Sequence, residues 1–130
     1  DTVTSADWTA ARQPIILANR TDPDDPVPLY NYYDSFLQQG ITPPEIAVAG
    51  LERAFALGPE SASARIAYAF ALARNGDFDR AARLAKVVAF DPHDSGQGEH
   101  ILAQIESMRK GDDAAAREGD GASDKVDADQ

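Results

Sequence analysis

The residues best suited to chemistry gather late in the chain. His93 and His100 are the two histidines, and Asp91, Asp94 and Glu99 lie close to them in sequence. Imidazoles with neighbouring carboxylates can hold zinc or a related metal. The spacing speaks against that here. The histidines are seven positions apart, His93 falls in a loop, His100 falls near a helix start, and no His-Glu-x-x-His pattern is present. The acidic run Asp22, Asp24, Asp25 does not continue with calcium-loop spacing. Gly96-Gln97-Gly98 lacks the further glycine and the lysine of a phosphate loop. There is no Gly-x-Ser-x-Gly elbow and no serine set beside a histidine. The absence of cysteine removes thiolate nucleophiles, disulfides and thiolate metal sites together. The Asp and Ser residues read as turn formers and caps, and the remaining carboxylates as solvated helix faces. The expectation is a chain that is not itself an enzyme, with no catalytic residue, no metal and no cofactor.

Composition narrows the partners. The chain has 130 residues, 43% apolar, which suits one domain with a true core. Its net charge is −10, from 12 basic and 22 acidic side chains. Such a chain repels phosphate backbones and anionic membrane surfaces, so nucleic acid is not an expected partner. No apolar run approaches the roughly 20 residues that span a bilayer. No signal peptide is visible and the first residue is not Met, so the expectation is a processed product or a piece of a longer polypeptide.

The elements that position these residues repeat. DWTAARQPIILANRTDP, PPEIAVAGLERAFALGP and DFDRAARLAKVVAFDP align with one another. Ala11, Ala47 and Ala81 recur at spacings of 36 and 34 (47 − 11 and 81 − 47), and Ala18, Ala54 and Val88 repeat them. Pro23, Pro59 and Pro92 close the segments. Two small residues seven apart lie on one helical face, two turns from each other, where a neighbouring helix comes close. The proline then ends the helix. The halves in front, VPLYNYYDSFLQQG and SASARIAYAFALARNG, are helices that stop at Gly40 and Gly76. Aligning the glycines sets Tyr32 over Tyr68 and Phe36 over Leu72. The unit is helix, Gly turn, helix, Pro turn. Asp22-Pro23 and Asp91-Pro92 mark the joints between units. Pro14, inside the first helix, should kink it or delay its start.

GDFDRAARLAKVVAFDP resembles the second half of a tetratricopeptide repeat. Gly76, Asp77, Phe78, Ala81, Val88 and Pro92 stand at its signature positions, as do Ala47, Ala54 and Pro59 in one segment and Asp7, Trp8, Ala11, Ala18, Asp22 and Pro23 in another. The resemblance covers about residues 5 to 92 at the period of that class. It departs at Leu29 and Arg65, where the family has a large aromatic, at Tyr33, where it has a small residue, and in a turn after Gly40 that is about two residues longer. It implies an all-α fold, an α-solenoid of helix-turn-helix repeats, acting as a protein-protein interaction or scaffold module. The domain would span 1–110: the second helix of a truncated repeat at 5–23, repeats at 24–59 and 60–92, and a capping helix at 93–110. The resemblance also implies a concave peptide-binding groove lined by Tyr30, Asn31, Asp34, Gln38, Ile66, Phe70 and Arg74. The Lys, Asn and Arg clamp of chaperone-tail binders is not matched, since Tyr30, Asn31, Asp34 and Ile66, Ala67, Phe70 stand there. Tyr30 and Phe70 would anchor an apolar peptide or pack between hairpins.

The two ends carry their own expectations. The first helix presents Trp8, Ala11, Ile15 and Ala18 with no first helix of its own repeat to cover them, so Trp8 and Ile15 are candidates for an association face. Its partner would be an upstream part of the same polypeptide, or a second copy in a homodimer. At the other end Ile101, Leu102, Ile105 and Met108 form an apolar stripe, opposite Glu99, Gln104, Glu106, Arg109 and Lys110. That is the pattern of a cap, apolar inward and polar outward. Residues 111–130 carry seven acidic and two basic side chains and only Val126 and alanines as aliphatics, so a disordered acidic tail is expected.

A looser resemblance lies in LANRTDPDDPVPLYNYYDSF, TPP and AFDPH. It is to the C-terminal repeat region of alphaproteobacterial proteins with a peptidase-like domain upstream. It implies a non-catalytic accessory domain of a secreted or periplasmic metallopeptidase-like protein, and favours those compartments over the cytoplasm.

Overall fold

The computed structural model describes residues 2–91 and 96–128. Pro92, His93 and Asp94, which the sequence reading uses as a helix stop and as candidate ligands, lie outside them. The described residues form six α-helices and no strand. In order they are α1 (Ser5–Thr21), α2 (Pro26–Gln39), α3 (Glu45–Leu57), α4 (Ala62–Arg74), α5 (Phe78–Ala89) and α6 (Gln97–Ala128). The chain divides into two compact units between Tyr68 and Ala69.

Local chemistry fixes the ends of these helices. At α1, Thr4 and Asp7 form a reciprocal cap: the Asp7 amide donates to Thr4 Oγ1 at 3.3 Å and the Thr4 amide to Asp7 Oδ2 at 2.9 Å. At α2, Asp25 Oδ1 accepts from the Val27 amide at 3.0 Å, and Pro26 takes the first helical position, where a missing amide hydrogen costs least. The two Gly turns are the same structure built twice. Gly40 has φ 82° and Gly76 has φ 86°, the left-handed region that only glycine enters freely. The Ile41 amide donates to the Phe36 carbonyl and the Gly40 amide to that of Leu37. Likewise the Asp77 amide donates to the Leu72 carbonyl and the Gly76 amide to that of Ala73. Five residues separate α2 from α3 (40–44) and three separate α4 from α5 (75–77), the two-residue difference expected from the alignment.

In the first unit α1 packs on α2 and α2 on α3. The core is Tyr33, Phe36, Ala47, Leu51, Ala54, Ala64 and Tyr68. Phe55 of α3 and Tyr68 of α4 lie with ring centroids 5.5 Å apart. Ala47 and Ala54 are fully buried, so the small pair of α3 does what its spacing predicts.

In the second unit α5 packs on α6. Here the fully buried small residues of α5 are Ala81 and Ala85, and Val88 is only half-buried. The apolar stripe of α6 faces inward: Ile101 and Ile105 are buried, Leu102 and Met108 half-buried. Gly98 makes the approach possible. A Cβ there would fall 2.3 Å from Ala89 Cα and N, so nothing but glycine lets α6 start against the end of α5.

The helix around Pro14 has no delayed start, because the Thr4–Asp7 cap sets its beginning at Ser5. Pro14 is exposed, as is Ala10 one turn earlier, whose carbonyl loses its usual donor and can bond water instead. α6 includes most of the expected capping segment at 93–110 and is described through Ala128. Residues 111–119 are exposed, so this stretch rests on helix formers such as Ala114, Ala115, Ala116, Arg117 and Glu118 and not on burial.

Candidate functional site

In the first unit a groove of about 260 Å³ runs between α1 and α2. Trp8, Ala11, Arg12 and Ile15 of α1 line it, with Asn31, Asp34, Ser35 and Gln38 of α2. It joins two sets of residues that the sequence reading kept apart. Trp8 and Ile15 come from the candidate association face; Asn31, Asp34 and Gln38 come from the candidate peptide groove.

The α1 side is open in a telling way. By the repeat spacing of 36, Ala11, Ile15 and Ala18 correspond to Ala47, Leu51 and Ala54. In α3 these three are fully buried, and α2 packs on α3. In α1, Ala11 and Ala18 are exposed and Ile15 is half-buried.

Sequence reasoning missed Arg12, which is only 7% exposed. Its Nε donates to Ser35 Oγ at 2.8 Å and its Nη2 donates to Gln39 Oε1. Its guanidinium lies 3.7 Å from the Phe36 ring centroid and 5.8 Å from that of Trp8. No described carboxylate lies within ion-pair distance of it. A signal was there: Arg12 stands four residues after Trp8 and three before Ile15, a charge on the apolar stripe.

Asp34 Oδ2 accepts from Gln38 Nε2 at 2.6 Å. Burial, and secondarily the Asp34 charge, raise the Tyr30 phenol above its ordinary value, so it stays protonated and able to donate. Tyr30 and Ile66 are half-buried and line neither this groove nor the next two.

In the second unit Phe70 and Arg74 of α4 line a wider groove of about 520 Å³ with Gln104, Ser107 and Met108 of α6. A third, more apolar groove of about 210 Å³ lies in the first unit, between Ile15, Ile16, Asn19, Pro28, Tyr32 and Ile46. No hydrogen-bond partner is described for the buried Asn19 Oδ1 there.

No family model matches the chain, and no curated protein matches it. Among the described residues there is no group of three or more His, Cys, Asp or Glu placed to hold a metal ion. No described helix is long and apolar enough to cross a membrane. The two grooves of the first unit have aromatic and aliphatic walls with a few polar groups.

Proposed function

We propose that this chain is a protein-interaction module of the tetratricopeptide type, a short α-solenoid whose α1–α2 groove receives a helix from a partner polypeptide. It binds and does not catalyse. One observation carries the reading: Ala11, Ile15 and Ala18 stand open on α1 while their repeat equivalents Ala47, Leu51 and Ala54 are fully buried. The chain's own hairpin therefore supplies the template for the occupant. It is an amphipathic helix laid along α1 as α2 is laid along α3. The groove's mixed lining suits it, with Trp8 and Ile15 as apolar anchors and Asn31 and Gln38 as polar guides.

The test is a display selection of helical peptides, randomised on one face, against the full chain and against Ala11→Arg. Ala11 is exposed, so the substitution fills the groove without disturbing a core. Helices that bind the chain and lose the Ala11→Arg variant support the reading. No enrichment, or enrichment indifferent to Ala11→Arg, contradicts it.

A further inference from the structure

We infer that the helix received by this groove presents a carboxylate to Arg12. The inference rests on the groove reading above and names the partner's chemistry. An arginine that is 7% exposed as a residue holds its charge largely out of water, which is costly without a counter-charge. Arg12 has aromatic faces and neutral acceptors around it, but no described carboxylate in range. Ser35 and Gln39 take one N–H each from Nε and Nη2. Of the five N–H groups of a guanidinium, the two on Nη1 and one on Nη2 have no described acceptor. The Nη1/Nη2 end is shaped for two parallel bonds to a carboxylate. The Phe36 ring, its centroid 3.7 Å from the guanidinium carbon, and the hydrogen bonds to Ser35 and Gln39 hold the group in place.

The repeat shows that the charge is not needed for hairpin packing. In phase with Ala11, Ala47 and Ala81, the next positions are Arg12, Val48 and Ala82. The two other units hold apolar residues where α1 holds an arginine. Asp34, which lines the same groove, further limits the occupant. A uniformly acidic helix would be repelled there and by the net charge of −10. The fitting partner has one Glu or Asp on its apolar face over Arg12, and a neutral or basic side chain beside Asp34.

Trp8 is the chain's one tryptophan and lines the groove, so its emission reports occupancy. The helices selected above are sequenced, and the best is made with Glu and with Gln at its enriched acidic position. The expected result is enrichment of Glu or Asp at one position, with the Glu peptide binding the chain about tenfold tighter than its Gln twin. Arg12→Gln should abolish that difference. The twin comparison on the unaltered chain stands even if Arg12→Gln fails to fold. Selected helices without an enriched acid, or twins of equal affinity, overturn the carboxylate while leaving the groove reading intact. A selection that enriches nothing overturns both. So does a stable dimer by light scattering with Trp8 already shielded, since a second copy would then fill the groove.

Discussion

The guanidinium of Arg12 lies 3.7 Å from the centroid of the Phe36 ring, stacking a charge from α1 onto the core of α2. The side chain therefore joins the two helices through its stem and plane as well as its hydrogen bonds.

Arg12→Ala should destabilise the first unit by about 2–3 kcal/mol, since it opens a void over Phe36 and removes both hydrogen bonds. Arg12→Met should cost about 1 kcal/mol or less. It keeps the stem volume and removes a buried charge that has no described counter-ion. Ser35 Oγ still donates to the Tyr32 carbonyl at 2.6 Å, and Gln39 is exposed enough to meet water. Urea unfolding of the two variants gives the order; equal losses would mean that the charge itself stabilises the unit.

Two glycines of α6 should respond in opposite directions. Gly98→Ala pushes a methyl into the Ala89 backbone and should cost about 2–3 kcal/mol. Gly111→Ala meets nothing within 4 Å and should raise helix content, by about 1 kcal/mol in local stability. Circular dichroism during thermal unfolding reads both.

Much of this architecture is legible in the sequence because it is local. Gly40 and Gly76 announce left-handed helix stops, and Ala47, Ala54 and Ala81 announce a close-packed face. What the sequence hides is tertiary. Gly98 reads as part of a loop until α5 is seen against it. Spacing places Arg12 on the apolar stripe of α1, but its partners Phe36, Ser35 and Gln39 come together only in the fold. Asn31, Asp34 and Gln38 could be placed on one face of α2 by spacing, but their meeting with Trp8 and Ile15 depends on how α1 crosses α2.

Acid should loosen the start of α1. The backbone and side-chain hydrogen bonds of Thr4 hold the Asp7 carboxyl below its ordinary value. Its contribution is therefore present above the ordinary Asp range and is lost as the pH falls through the lowered value. Carboxyl chemical shifts should show Asp7 titrating below that range, and Thr4→Val, which keeps the larger backbone bond, should return it only part of the way. An Asp7 that titrates within the ordinary range in the unaltered chain would contradict the cap.

The same substitution at equivalent repeat positions should have unequal effects. Ala47→Leu overfills a sealed face and should cost about 1–3 kcal/mol. Ala11→Leu, on the open face, should change stability by no more than about 0.5 kcal/mol. Denaturant midpoints compare the two directly.

Thiol labelling separates an open α1 face from a sealed one, because the chain has no cysteine of its own. Ala11→Cys and Ala47→Cys are prepared separately and their maleimide reaction rates measured under native conditions. Labelling should be rapid at position 11 and slow at position 47, and the position 11 reaction should be lost when a selected helix is bound. Protection at position 11 in the free monomer, or labelling there that continues unchanged with the helix bound, would contradict an open, helix-binding α1 face.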